Sequence, residues 1–164
     1  GDQLALADLK KENGVLVIFS CNTCPFVVGN DKWKGWQGRY NAIQEKCNEL
    51  GVGMVLVNSN EAKRKKGDSF EDMVSHYKEN GYTSKYVLDK NHKLADAFGA
   101  RTTPHVFLLD ADFKLVYRGA IDDSAEDPNK VEENYLMDAL TKHASGQSVS
   151  PSRTKAIGCS IKRV

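Results

Sequence analysis

The sequence has no run of the ~18 consecutive apolar residues that a membrane-spanning helix needs. It has no excess of either charge. Its 23 basic and 22 acidic residues leave a formal net charge of +1, so the whole-chain balance points to neither nucleic acid nor an anionic membrane as partner. Cysteine is scarce. Cys21, Cys24, Cys47 and Cys159 are too few to staple a chain of 164 residues, and a chain of that length builds a core without staples or metals. A second CxxC is missing, and His76, His92, His105 and His143 form no pair at ligand spacing, so a zinc finger finds no second half. No metal and no organic cofactor are expected. The chain opens on Gly1 rather than Met, with no basic segment leading into an apolar one. Either a leader was removed or the chain was trimmed.

The residues that are present alternate between strand and helix signals. "GVLVIFS" (14–20) is a short β-branched run, the mark of a strand buried on both faces. Trp33, Trp36, Tyr40, Ile43, Cys47 and Leu50 follow at spacings of 3, 4, 3, 4 and 3, which predicts one helix face ending at Gly51. "VGMVLVNSN" is a second buried strand, completing a β-α-β unit with parallel strands. "EAKRKKGD" is a charged loop, either solvated or a docking patch for an acidic partner. Asp68 or Ser69 is expected to cap the next helix, Asp68 having capping-box spacing to Glu71, with Phe70, Met73, Val74 and Tyr77 on its buried face. "KYVLD" is a strand and "HKLADAFG" a brief helix. "PHVFLLD" and "KLVYRG" form an antiparallel hairpin. A last helix after Pro128 presents Val131, Tyr135, Leu136, Ala139 and Leu140 on one face. The pattern predicts an α/β domain over 1–144, a central mixed sheet with helices on both faces, and a polar tail over 145–164 whose tip, "AIGCSI", turns apolar and docks.

"FSCNTCPF" (19–26) sits where the "GVLVIFS" strand would feed the first helix, at the carboxyl edge of the sheet, where α/β proteins place their sites. Pro25 fits an early helix position. The helix N-terminus offers partial positive charge and unpaired N–H groups, which favour a thiolate on Cys21; Cys24, three residues on, can then resolve a mixed disulfide. A zinc site would need two further ligands. A purely structural disulfide across so short a loop gains little. A redox pair is the reading that uses the strand–turn–helix context. Thr103-Pro104 opens the next strong strand, where a proline without a ladder donor is expected. It is either a plain trans proline or a cis bond beside the cysteine turn, with the Thr103 backbone open to an extended substrate.

With these residues in view, the chain resembles the thioredoxin-fold redoxins, the group of alkyl hydroperoxide reductase/thiol-specific antioxidant-like proteins. "SCNTCPF", "GDSFEDM", "TTPHVFLLD", "YRGAIDD" and "AIGCSIK" occur in the family's order over nearly the whole chain. The resemblance implies a thioredoxin-like fold, Cys21 and Cys24 as a redox pair, and Thr103 and Pro104 as a cis-proline substrate element. Cys159 is either a packed or idle cysteine or a third redox thiol that exchanges with the pair or caps it, a reading the family's C-terminal ending favours. The resemblance also implies a thiol–disulfide oxidoreductase acting on disulfides of proteins or small thiols, with an external thiol reductant or oxidant as partner. "GDQLALADLKKENG" resembles only the last part of the family's N-terminal hairpin. The alternative within the fold is a peroxidase: Cys24-Pro25 resembles the peroxiredoxin Cys-Pro, and Arg101 lies near the place of its activating arginine. Against it, Cys21 stands where that family has Thr before Cys24, and Ile18 stands before Cys21. A non-catalytic binding module of the same fold is a third possibility, which the intact pair argues against.

The other singled-out residues have quieter readings. Cys47 lies on the apolar stripe and is expected to be a small core hydrophobe. Trp33 and Trp36 are expected in the core or at a docking surface beside the thiols. Asp122 and Asp123 read as turn and capping residues. Asn58 to Asn60 end a strand on the cysteine edge, as turn residues or site lining. The bacterial cell envelope is the favoured location, with the cytoplasm as alternative.

Overall fold

The computed structural model describes residues 3–164. Among the described residues seven strands form: Val15–Ser20 (β1), Gly53–Asn58 (β2), Lys85–Leu88 (β3), Thr102–Thr103 (β4), His105–Leu109 (β5), Leu115–Gly119 (β6) and Cys159–Ser160 (β7). Six helices accompany them: Leu6–Leu9 (α1), Pro25–Val28 (α2), Tyr40–Leu50 (α3), Phe70–Glu79 (α4), Lys93–Phe98 (α5) and Tyr135–Ala144 (α6). The main sheet has the order β3-β2-β1-β5-β6. β1 and β2 pair in parallel, as do β2 and β3, while β5 runs antiparallel to both β1 and β6. Every residue of β1 and β2 is buried, as their unbroken apolar runs require.

The sheet divides the core. Leu16, Ile18, Leu56, Val106 and Leu108 pack on one face against Tyr40, Ile43 and Cys47 of α3 and Leu136, Ala139 and Leu140 of α6. Val17, Phe19, Val55, Val57 and Phe107 pack on the other against Ala95, with Leu6, Leu9 and Phe98. Cys47 is fully buried, as a core hydrophobe would be. Among the described residues, no helix is long and apolar enough to cross a membrane.

Three local expectations are corrected. The predicted helix over Trp33–Leu50 is broken: α2 ends at Gly29, a loop runs to Trp36, and α3 begins only at Tyr40 after a single 3₁₀ turn. Gly29 and Gly35 face each other's loop backbone at φ 83° and 75°, where a Cβ would strike the carbonyls of Trp33, Lys34 and Val27. The tryptophans keep their apolar roles without the helix. Trp33 packs on Phe26 with ring centroids 4.7 Å apart, and Trp36 is buried with its indole N–H 2.8 Å from Asp122 Oδ1. Asp122 is therefore no ordinary turn residue: it is buried and paired with Arg39 at 2.7 Å.

The second correction concerns α4. Of the two expected caps it is Ser69 that serves, exchanging hydrogen bonds with Asp72 at 3.0 and 3.1 Å, so the capping box runs from Ser69 to Asp72 rather than from Asp68 to Glu71. Only Met73 of the predicted face is buried; Phe70, Val74 and Tyr77 are 43, 38 and 37% exposed, because α4 lies against β3 at the sheet's edge. Third, Pro128 opens a 3₁₀ turn and α6 begins at Tyr135, leaving Val131 outside it.

The segment after Ala144 lies along the domain. Ser152 accepts from the Arg118 N–H at 3.1 Å, and Thr154 Oγ1 accepts from the Ala120 N–H at 3.0 Å. Ile161 is buried beside Val17 and Phe19. Between these anchors, β7 pairs antiparallel with β4.

Candidate functional site

The end of β1 delivers Cys21, and Cys24 is the residue that precedes the first turn of α2, with Pro25 at its first helical position. All four cysteines are free thiols. Cys21 is fully buried and Cys24 is 4% exposed. The Cys24 N–H donates to Cys21 Sγ at 3.2 Å. Thr103 touches both sulfurs: its hydroxyl lies 3.3 Å from Cys21 Sγ and its carbonyl 3.3 Å from Cys24 Sγ. The Thr103–Pro104 peptide is cis.

The two thiols titrate as a pair, and their contacts compete. The Thr103 carbonyl can only accept, so that contact belongs to a protonated Cys24. The other neighbours of Cys24 pull the opposite way, and they prevail. Its pKa is lowered to about 5, first by the hydrogen bond with Cys21, against the opposing effect of burial, and further by the thiol and backbone N–H of Cys159 and the Thr103 hydroxyl. Cys21 is pushed well above the ordinary thiol range, first by sharing its proton with Cys24 and then by burial, with the charges of Cys24 and Asp68 adding to the rise. The pair thus shares one low-lying ionisation, while the hydrogen bonds put two donors on Cys21 Sγ and an acceptor on Cys24 Sγ.

Asp68, one of the two residues expected to cap α4, is the splint of the cysteine turn. It is fully buried. Its carboxylate accepts from the Asn22 N–H at 2.8 Å, the Thr23 hydroxyl at 2.8 Å, Asn58 Nδ2 at 2.9 Å and Asn60 Nδ2 at 3.1 Å. Asn58 and Asn60 therefore tie β2's end to the site. Arg64, from the run read as solvated, turns inward: its Nη1 donates to the Asp68 carbonyl at 2.8 Å and its Nη2 to the Asn58 carbonyl at 2.9 Å. The capping box starting at Ser69 is the sequence signal that frees Asp68 for this work.

The third thiol also lies here. Cys159 is the register partner of Thr103, so the backbone edge expected to be open to a substrate is occupied by the chain's own tail. Burial, then the neighbouring Cys24, pushes the Cys159 thiol up to about 11, against a contact with the Phe26 N–H. Arg101 is not part of the site. Its side chain is exposed, and its charge bears on His105 and Arg118.

The Redoxin family model matches residues 1–135. The chain belongs to the redoxin family. An uncharacterized conserved protein from Geobacillus kaustophilus is 33% identical over 100% of this chain and 84% of its own, with a TM-score of 0.89. A hypothetical protein from Sinorhizobium meliloti is 31% identical over 100% and 87%, with a TM-score of 0.88. A thioredoxin-like protein solved in its oxidized form shares the fold at 18% identity, over 89% and 87% of the two chains, with a TM-score of 0.67. No curated protein matches the sequence. The redoxin thus has the thioredoxin-like α/β architecture expected of it, a five-stranded mixed sheet flanked by helices.

Proposed function

We propose that this redoxin is a thiol–disulfide oxidoreductase whose redox pair is Cys21 and Cys24. The observation that carries the reading is the geometry of two free thiols at a helix start, with Cys21 Sγ accepting from the Cys24 N–H at 3.2 Å and facing the Thr103 hydroxyl at 3.3 Å. A thiolate is the attacking species in thiol–disulfide exchange, and the donors on Cys21 Sγ are placed to hold that charge.

Cys21 attacks one sulfur of a substrate disulfide. The substrate S–S bond breaks, its electron pair leaves on the departing thiolate, and a Cys21–substrate disulfide forms. Cys24, whose proton goes to the departing thiolate, then attacks Cys21 Sγ. The Cys21–Cys24 bond forms and the second substrate thiolate leaves. Two electrons have passed from the pair to the substrate, and an external thiol restores the pair. Thr103 positions both sulfurs from one residue, and with Pro104 it forms the wall against which a substrate segment would lie in place of β7. The substrate is a disulfide of a protein or a small thiol.

A second reading has an observation of its own. A thiolate at Cys24 ahead of Pro25, with the Thr103 hydroxyl beside it, has the parts to attack a peroxide, giving a sulfenate and water, with Cys21 condensing onto the sulfenate.

Insulin reduction and hydrogen peroxide consumption, measured side by side, separate the two. The proposal expects insulin reduction by the native protein and its loss in Cys24→Ser and in Cys21→Ser. Peroxide consumption without insulin reduction would favour the second reading. Variants as active as the native chain would overturn both.

A further inference from the structure

We propose that Cys159 exchanges with the oxidised Cys21–Cys24 pair to give a Cys24–Cys159 disulfide, carrying the oxidising equivalent from the buried pair to the surface. The inference rests on the oxidoreductase reading above and names the route by which the external thiol acts.

The problem it answers is access. Cys21 and Cys24 are 0 and 4% exposed, and the tail covers the edge beside them. Cys159, by contrast, is partly exposed. Its position is built rather than incidental. β7 pairs Thr103 with Cys159 and Thr102 with Ser160. A Cβ at Gly158 would overlap the Thr103 carbonyl and approach Pro104 N, so a side chain there would lift the strand. The segment is pinned on both sides of Cys159. Before it, Thr154 bonds to the β6 end. After it, the Ile161 N–H donates to the Arg101 carbonyl at 2.9 Å, and the Lys162 N–H donates to Asn60 Oδ1 at 2.9 Å. Asn60 also binds Asp68, so one side chain joins the tail to the splint of the cysteine turn. Within this frame Cys159 stands opposite Thr103, whose carbonyl lies 3.3 Å from Cys24 Sγ, and it packs against the cluster that holds Cys21 and Cys24. The tail thus presents a cysteine to Cys24 as a bound substrate strand would.

The exchange balances without an added oxidant. Cys159 gives up its proton and attacks Cys24 Sγ. The Cys24–Cys159 bond forms, the Cys21–Cys24 bond breaks, and its electron pair goes to Cys21, which takes up the proton. An external thiolate next attacks Cys159 Sγ and expels Cys24 as thiolate, a good leaving group because its pKa is low. A second external thiol then frees Cys159, and the pair is again reduced.

The test uses the full chain. Reduced protein is mixed with insulin, quenched in acid at intervals, alkylated, digested and mapped by mass spectrometry. The expected result is a Cys21–Cys24 disulfide first and a Cys24–Cys159 disulfide after it, with Cys21 alkylated in the second species. In Cys159→Ser the Cys21–Cys24 disulfide should persist, its reduction by glutathione slowed by about tenfold or more. If Cys159 carries the alkyl label at every interval while Cys21–Cys24 forms, and glutathione reduces native and variant alike, the relay is overturned and the oxidoreductase reading stands. If Cys21–Cys24 never forms and insulin stays intact, that reading falls and the relay with it. The mapping of the native chain decides even where the variant folds poorly.

Discussion

Thr103 and Cys159 are register partners across a two-residue antiparallel ladder; the Thr103 carbonyl lies 3.3 Å from Cys24 Sγ, and Cys159 packs against the cluster that holds Cys24. The ladder closes only because residue 158 has no side chain. Gly158→Val should therefore open it. The expected outcome is faster alkylation of Cys24 by iodoacetamide at neutral pH, with the far-ultraviolet circular dichroism of the native chain retained. Equal alkylation rates in the two proteins would show that the tail does not cover Cys24.

Cys24 ionisation should be visible in its chemistry. Its alkylation rate is expected to rise with a midpoint near 5 in the native chain, and at a higher pH in Cys21→Ala, because the Cys21 contact is the first cause of the lowering. Folding lowers this pKa, so the ionised sulfur contributes stability that is fully present above the ordinary thiol value and is lost as pH falls through about 5. Cys21 is raised and contributes in the opposite sense, but only above the ordinary thiol value. Urea unfolding of the reduced protein between pH 5 and 8 should therefore show stability rising with pH, and the oxidised protein should lack this increment.

The same ionisation bears on the redox potential. Stabilising a thiolate stabilises the reduced form, which makes the pair more oxidising than thioredoxin, above about −270 mV. With one thiol of the pair ionised and the other protonated, oxidation releases one proton for two electrons. The potential should fall by about 30 mV per pH unit between pH 6 and 8. A slope near 60 mV would mean that both thiols are protonated there.

Asp68 accepts four hydrogen bonds in a fully buried position. In Asp68→Asn, one oxygen becomes an NH₂ group facing donors, so buried donors lose their partner. The expected cost is about 2–4 kcal/mol in urea unfolding, with a slower reaction of Cys24 because the turn is no longer splinted. Native-like stability would show that the network is dispensable.

His105 has its pKa lowered to about 4, by burial first and then by Arg118, Arg101 and Arg153. Its Nδ1 accepts from the Arg101 N–H at 3.1 Å, which requires that nitrogen to be unprotonated. A histidine held neutral by folding gives stability that is present above its ordinary value and lost as pH falls through the folded one. The prediction is a loss of stability between pH 6.5 and 4 that His105→Gln diminishes, with an NMR midpoint near 4 for the imidazole.

Much of this arrangement is legible in the sequence because it rests on short, strong local signals. β1, β2 and β5 are dense apolar runs, and Cys21 and Cys24 stand between one of them and a Pro25 that opens a helix. Other parts depend on contacts distant in sequence. The 3.6-residue pattern from Trp33 to Leu50 persists across a break because both tryptophans find apolar partners from a loop; Gly29 and Gly35 were the visible warning. The apolar face of α4 gave no hint that its sheet partner is an edge strand. Asp68 reads as a cap, since its four donors lie 8 to 46 residues away. The pairing of Cys159 with Thr103 spans the chain's last third.

The central claim is that Cys21 and Cys24 pass two electrons to a disulfide. Its most direct test is a single turnover: reduced protein and a limiting amount of insulin, quenched in acid, with the disulfides of both mapped. The account predicts one Cys21–Cys24 disulfide, or its Cys24–Cys159 exchange product, for each insulin disulfide opened. Insulin chains left intact, with Cys21 and Cys24 both still alkylatable, would contradict it.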